Sequence, residues 1–111
     1  MPRDPQALIG DALEAVELVR LFTRGKTYQD YLGDVMLRSA VERQLEITGE
    51  ALNQLSHVSP ESSAALPDLR QIIAFRNILV HGYANVDNAL VWGIVQERLD
   101  ALKTSLDKVA K

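Results

Sequence analysis

The sequence predicts an all-α protein: an up-down four-helix bundle with short extra helical turns, folded as a single domain over residues 1–111. Three observations carry this. Apolar residues recur at steps of three and four along four long segments, the period of one helix face. Hydrophobic residues make up 47% of the chain but aromatics only 5%, and strands draw on aromatic and β-branched residues. The connections are short and hold the residues that cap and break helices, as in a bundle.

The first helix is expected from about Asp4 to Arg24. Leu8, Ala12, Ala15, Val19 and Phe22 form one apolar stripe, with Asp11, Glu14 and Glu17 facing elsewhere. Arg24-Gly25-Lys26 ends it, with Gly25 suited to the left-handed position past a helix end. Thr27-Tyr28-Gln29-Asp30 reads as the start of a short helix capped by Thr27. Gly33 and Asp34 mark a joint.

The second long helix covers about Val35 to Ser56. Leu37, Val41, Thr48, Ala51 and Leu55 mark its buried side, with Gln44 in the same stripe. Gly49 sits in mid-helix, where glycine costs roughly 1 kcal/mol relative to alanine. Close approach of a neighbouring helix is the expected compensation. Glu42, Arg43, Glu46 and Glu50 form a charged band. Glu46 and Glu50 have a spacing that can serve metals, but no ligand histidine lies nearby, so they read as a solvated or ion-paired face.

His57 to Leu66 is a connection, with a short helical turn expected at Ser59-Pro60-Glu61, where Ser59 would be the N-cap and Pro60 the first helical residue. His57 itself reads as a residue that meets the last carbonyls of the second helix, or solvent. The third helix runs from about Pro67 to His81 and stops at Gly82. Its apolar set is Leu69, Ile72, Ile73, Phe75, Leu79 and Val80, which predicts burial on more than one side. Asp87 caps the fourth helix, about Asn88 to Val109. Trp92, Val95, Leu99, Leu102, Leu106 and Val109 form an unbroken heptad-like seam. That seam is either core or a subunit interface, and core is favoured because bundle helices need such a stripe anyway.

Composition limits the function. There are no cysteines, which excludes disulfides and thiolate metal sites. The net charge is −3, from 12 basic and 15 acidic residues. Proteins that coat nucleic acid through its phosphates carry a basic surface. Extended, non-specific binding of that kind is disfavoured here, and a small local site with a few arginines is allowed. No secretory h-region and no membrane-length apolar run occurs, so a cytoplasmic location is expected.

The densest cluster of chemistry is Phe75-Arg76-Asn77-Ile78-Leu79-Val80-His81-Gly82-Tyr83. It holds one of only two histidines in the chain. A guanidinium neutralises phosphate charge, and an imidazole moves protons near neutral pH. Asn77 and His81 are four apart and share a helix face. Arg76 and His81 are five apart, so at about 100° per residue they diverge by roughly 140° around the axis. Three arrangements bring them together. The arginine side chain wraps round, or the last turn unwinds before Gly82, or two copies of the motif face each other across a two-fold axis. On spacing alone the pair also fits ordinary solvated capping at a helix end, and Tyr83 a packed loop aromatic.

The full string narrows this. It resembles the signature of HEPN-domain proteins: arginine, a polar residue, three variable residues, then histidine. Gly82-Tyr83 looks like the HepT-like branch, whose motif continues to a tyrosine two positions after the histidine. Val41-Glu42-Arg43-Gln44-Leu45-Glu46-Ile47-Thr48-Gly49-Glu50-Ala51 is similar to that branch's second-helix block. Val86-Asp87 followed by Val91-Trp92 resembles its segment after the motif. The likeness runs from about Leu8 to Leu106. A tryptophan that often precedes the third helix is absent, with Leu69 near its place, which affects packing more than chemistry.

The resemblance implies an α-helical homodimer acting as a metal-independent ribonuclease toxin, without a cofactor. Its partner would be an MNT-type nucleotidyltransferase antitoxin. By position, Arg76 and His81 would be the catalytic pair and Asn77 would take the polar place after the arginine. Tyr83 would be the tyrosine that the antitoxin modifies with AMP, silencing the nuclease. The competing reading is a non-catalytic binding module that dimerises and docks a nucleotidyltransferase or a nucleotide, with Arg76 on phosphate. The charge of −3 fits this at least as well as RNA binding.

Overall fold

The structure is a computed structural model and describes residues 3–82 and 86–111. Every regular element among the described residues is helical. In order they are α1 (Pro5–Thr23), α2 (Tyr28–Gly33), α3 (Val35–Val58), α4 (Pro60–Ala64), α5 (Leu69–His81), α6 (Asn88–Glu97) and α7 (Leu99–Val109). The long rods are α1, α3, α5 and the α6–α7 pair, so the all-α bundle expected from the sequence is what forms.

Local chemistry sets the boundaries. Pro5 stands in the first turn of α1, behind an Asp4 carboxylate that accepts from the Gln6 N–H. Past its end Gly25 takes a φ of 73°, the left-handed step expected there. Thr27 and Asp30 make a reciprocal capping box at α2: the Thr27 hydroxyl accepts from the Asp30 N–H at 3.1 Å, and the Asp30 carboxylate accepts from the Thr27 N–H at 2.9 Å. The backbone N–H of Thr27 holds the Asp30 carboxyl below the usual carboxylate range, with the Thr27 side chain helping. Asp34 caps α3 through the Leu37 N–H at 3.1 Å.

α3 is the central rod. It packs on α1 along one side and carries α5 on another, while α7 closes against α1. Leu8, Val16 and Val19 of α1, Val41, Leu52 and Leu55 of α3, and Leu99 and Leu106 of α7 are at most 2% exposed. α2 inserts Tyr31 beneath this layer, its ring 5.2 Å from that of Trp92. The seam of the last rod is therefore mostly core: Val95, Leu99, Leu102 and Leu106 are buried, with Trp92 and Val109 half-buried. No helix among the described residues is long and apolar enough to cross a membrane.

Four expectations change. The fourth helix is two helices, because Arg98 takes φ −117° and interrupts the rod. Its apolar stripe runs through the break unaltered, so periodicity gave no sign of it. The third helix starts at Leu69 rather than Pro67. Asp68 is left-handed at φ 62° and does not cap; its carboxylate instead binds Arg98 at 2.9 Å, tying the start of α5 to the α6–α7 joint. At α4 the Ser59 hydroxyl goes to Glu61 and Ser62 side chains rather than to a backbone N–H. Finally, α5 is buried on one side only. Phe75 and Leu79 are buried, Leu69, Ile72, Ile73 and Val80 half-buried, and Ile78 is 48% exposed.

The last change has an energetic consequence. A fully buried aliphatic or aromatic side chain contributes about 1.5–3 kcal/mol. α1 buries Leu8, Ile9, Val16 and Val19 together with two alanines, whereas α5 buries only Phe75 and Leu79. The motif helix is the more weakly held rod.

Its contact with α3 centres on Gly49. A Cβ on Gly49 would lie 2.3 Å from the Arg76 Cβ and 2.7 Å from its Cγ. This is the close approach that a mid-helix glycine implies. The atoms in the way belong to the root of the Arg76 side chain, so α5 itself must shift to make room.

Two stability predictions follow from the packing. Gly49→Ala gains about 1 kcal/mol of helix propensity but overpacks the crossing by about 1–3 kcal/mol. The net expectation is a lower urea midpoint, and an unchanged or higher one contradicts the close crossing. The Tyr31 hydroxyl is buried with no hydrogen-bond partner among the described residues, and burial pushes its ionisation upward. Tyr31→Phe should raise stability by about 1 kcal/mol by removing that unsatisfied group, read as an increased thermal midpoint.

Candidate active site

The last turns of α5 carry the motif. Phe75 and Leu79 point into the core and lock the helix rotation. That leaves Arg76 and Val80 on the flank facing α3, and Asn77, Ile78 and His81 outward. The helix stays regular through His81, and the Gly82 N–H closes it on the Ile78 carbonyl at 2.7 Å.

Arg76 does not wrap toward His81. Its side chain is 24% exposed and crosses to α3, where Nη2 donates to Glu50 Oε2 at 2.7 Å. Nη1 donates to Asn77 Oδ1 at 2.8 Å. Nε is buried without a hydrogen-bond partner among the described residues. The short ion pair is charge-assisted, and guanidinium forks hold such geometry well. Glu50 is itself fixed, since its other oxygen accepts from Gln54 Nε2 at 3.1 Å.

This cluster borders a cleft of about 390 Å³ lined among others by Arg3, Arg43, Glu46, Glu50, Gln54 and Arg76. Each arginine in the cleft has a carboxylate: Arg3 with Asp11, Arg43 with Glu46 at 3.3 Å, and Arg76 with Glu50. The ion-paired reading of Glu46 and Glu50 is what the structure shows. Three guanidinium groups thus gather on one face of an acidic chain, each balanced locally.

His81 is exposed in the last turn of α5 and makes no side-chain hydrogen bond among the described residues. Asn77 is also exposed, on the same outward face, and reaches Arg76 through its carbonyl oxygen. Within one chain the structure therefore joins Arg76 to Asn77 and leaves His81 apart. Neither single-chain arrangement, a wrapped arginine or an unwound last turn, is adopted. Tyr83, the proposed AMP acceptor, lies outside the described residues. His57 is exposed, with Nδ1 2.8 Å from the Asn53 carbonyl, as its place at the end of α3 suggested.

The outward side of α5 borders a larger groove of about 610 Å³ shared with α6 and α7. Ile72, Phe75, Ile78, Leu90 and Ile94 line it. Ile78 and Leu90 are 48% and 47% exposed, so an apolar strip adjoins Asn77 on the motif helix.

Sequence reasoning missed Glu50 as a site residue. It sits 26 positions before Arg76, and no local pattern links the two. The one usable signal was Gly49, which announced a close neighbour without naming it.

Comparison with known proteins gives the family. The family model described as "Ribonuclease HepT-like" matches residues 12–109. The protein named "Putative RNase MJ1380" of Methanocaldococcus jannaschii is 35% identical over 107 residues, covering 96% of this chain and 97% of its own. "Probable ribonuclease HepT" of Thermococcus cleftensis is 33% identical over 111 residues, all of both chains. No solved structure matches. With a family model spanning nearly the whole chain and relatives aligned end to end, this protein belongs to the HepT-like ribonuclease family.

Proposed function

We propose that this protein is the toxin of a toxin–antitoxin pair, a metal-independent endoribonuclease of the cytoplasm whose site is shared between two copies of the chain. The observation that carries the reading is Arg76: a guanidinium oriented at the rim of a cleft, on a helix that matches the family's motif. Arg76, His81 and Asn77 are the proposed catalytic group.

The chemistry uses the RNA's own 2′-hydroxyl. Neutral His81 takes its proton, the 2′-oxygen bonds to phosphorus, and the bond from phosphorus to the 5′-oxygen breaks. Arg76 stabilises the charge developing on the phosphorane oxygens. A protonated histidine, supplied by the second copy, gives its proton to the departing 5′-oxygen. The product is a 2′,3′-cyclic phosphate, and DNA, without the hydroxyl, resists. The two-copy site is supported by the separation of Arg76 from His81 within one chain. It is supported too by the open apolar strip at Ile78 and Leu90. A metal-free route is supported by Glu46 and Glu50, whose carboxylates are taken by arginines.

The partner on this reading is an MNT-type nucleotidyltransferase that moves AMP onto the Tyr83 hydroxyl. A bulky anion two positions beyond His81 blocks substrate phosphate by charge and volume. A second reading has one specific observation in its favour. Every arginine of the cleft is already neutralised, which suits a non-catalytic module that docks a nucleotidyltransferase or a nucleotide.

Purified protein should cleave single-stranded RNA in EDTA. Arg76→Ala should lose about 10²–10³ in rate, the usual cost of one group at the developing charge. His81→Ala should lose about 10²–10⁴. Equal rates for variant and wild type, or loss of activity in EDTA, would falsify the proposal. Growth arrest on expression that disappears in His81→Ala separates the ribonuclease from the docking module, which predicts no arrest. For Tyr83, intact mass after incubation with the transferase and ATP should rise by AMP. A gain that persists in Tyr83→Phe rules that residue out as the acceptor.

A further inference from the structure

We infer that Glu50 is a positioning residue for Arg76: it sets the plane and aim of the guanidinium over the cleft without itself touching the reacting atoms. The inference rests on the reading of Arg76 as catalytic and adds to it a residue from another helix.

The argument begins at the root of the side chain. The Arg76 Cβ and Cγ lie where a Cβ of residue 49 would be, so the arginine leaves α5 pressed against the backbone of α3. One residue further along α3, the Glu50 carboxylate meets its tip. Gln54, one turn on, donates to Oε1 of Glu50, while Arg76 Nη2 donates to Oε2. Arg76 Nη1 then donates to Asn77. The result is a chain of hydrogen bonds, Gln54 to Glu50 and Arg76 to both Glu50 and Asn77, that spans two helices.

Such a chain does what one contact cannot. A guanidinium held at a single nitrogen still swings about that bond. Held at Nη1 and Nη2 from different directions, its plane is fixed. Arginine has five N–H donors; with the Nε–H buried and these two bonds made, one N–H on each of Nη1 and Nη2 is left for an incoming phosphate. A long side chain otherwise samples many rotamers, and fixing one before substrate arrives removes that cost from the reaction. Glu50 is placed for the task because its carboxylate is half-exposed at the cleft rim, at 42%. It is held by Gln54 rather than free to move.

The alternatives make different predictions. If Glu50 were a proton-transferring group, its charge and acidity would matter and glutamine could not replace it. If it were a brake that masks Arg76, removing it would speed cleavage. A positioning residue needs only an acceptor oxygen at the right place, which glutamine supplies.

The test compares Glu50→Ala and Glu50→Gln in steady-state RNA cleavage, with Arg76→Ala and the double variant beside them. Glu50→Ala should lower kcat by about 10- to 100-fold, the scale set by a misplacement of about 1 Å, with KM nearly unchanged. Glu50→Gln should recover most of that loss. In the Arg76→Ala background, Glu50→Ala should cost nothing more, because the two act as one unit. A readout independent of activity is the ¹⁵N–¹H spectrum of the arginine side chains. Distinct Nη signals for Arg76 should appear in wild type and Glu50→Gln and merge in Glu50→Ala, with thermal unfolding confirming that all variants fold. Wild-type rates in Glu50→Ala, faster cleavage there, or a glutamine variant as slow as the alanine one each overturn the inference while the Arg76 reading stands. Full activity in Arg76→Ala instead removes the catalytic reading itself, and the inference with it.

Discussion

The crossing of α5 over α3 at Gly49 organises both the fold and the candidate site. Gly49 is fully inside a long helix, where its lack of a side chain weakens α3 locally by roughly 1 kcal/mol. In return the Arg76 side chain lies flat on the α3 backbone, at a separation no Cβ would permit. α5 buries little else: Phe75 and Leu79 are its only buried residues. The position of the motif helix thus depends on one close backbone approach, and the arginine at that approach is the residue on which the proposed chemistry turns. Packing and site are the same contact seen from two sides.

Electrostatics explains how an acidic chain gathers three arginines around one cleft. Three guanidinium groups around one cleft would repel one another and bind anions without discrimination. Pairing each with a carboxylate removes that repulsion at modest cost, since exposed pairs are worth only about 0–1 kcal/mol. Arg76 stands apart from the other two. It is the least exposed, its partner Glu50 is also held by Gln54, and its Nε is buried without a partner among the described residues. The net charge of −3 therefore argues against a broad RNA-coating surface without arguing against a single organised phosphate site.

Much of the fold was legible because its signals are local. The Thr27 cap, the joint at Gly33-Asp34, the Asp87 cap, the left-handed Gly25 and the apolar stripes all lie within a few residues of what they determine. The failures are non-local. The third helix starts late, at Leu69, where Asp68 turns left-handed and gives its carboxylate to Arg98, 30 positions away. The break at Arg98 leaves the apolar period intact. The burial of α5 was overestimated because hydrophobicity alone does not say whether a face meets core or remains open. For the site, the motif residues were readable by resemblance, and the geometric conflict between Arg76 and His81 by counting. The Glu50 contact was not, since an ion pair between two helices leaves no mark in either helix's own pattern.

Asn77 is where these threads meet. By helical spacing it belongs with His81, one turn away on the outward face. By hydrogen bonding it belongs with Arg76, whose Nη1 it receives at 2.8 Å. Its single carbonyl oxygen extends the α3-anchored network onto the exposed face where the imidazole stands. An arginine aimed into the cleft and a histidine aimed outward would otherwise have nothing in common but the helix they ride on. On the two-copy reading, the outward face of one chain meets that of the other beside the apolar strip at Ile78. Asn77 then sits at the seam, with its amide nitrogen turned away from Arg76 and available to substrate or to the facing chain. The polar residue after the arginine is in this view the link that lets a network built on α3 control groups that never touch it.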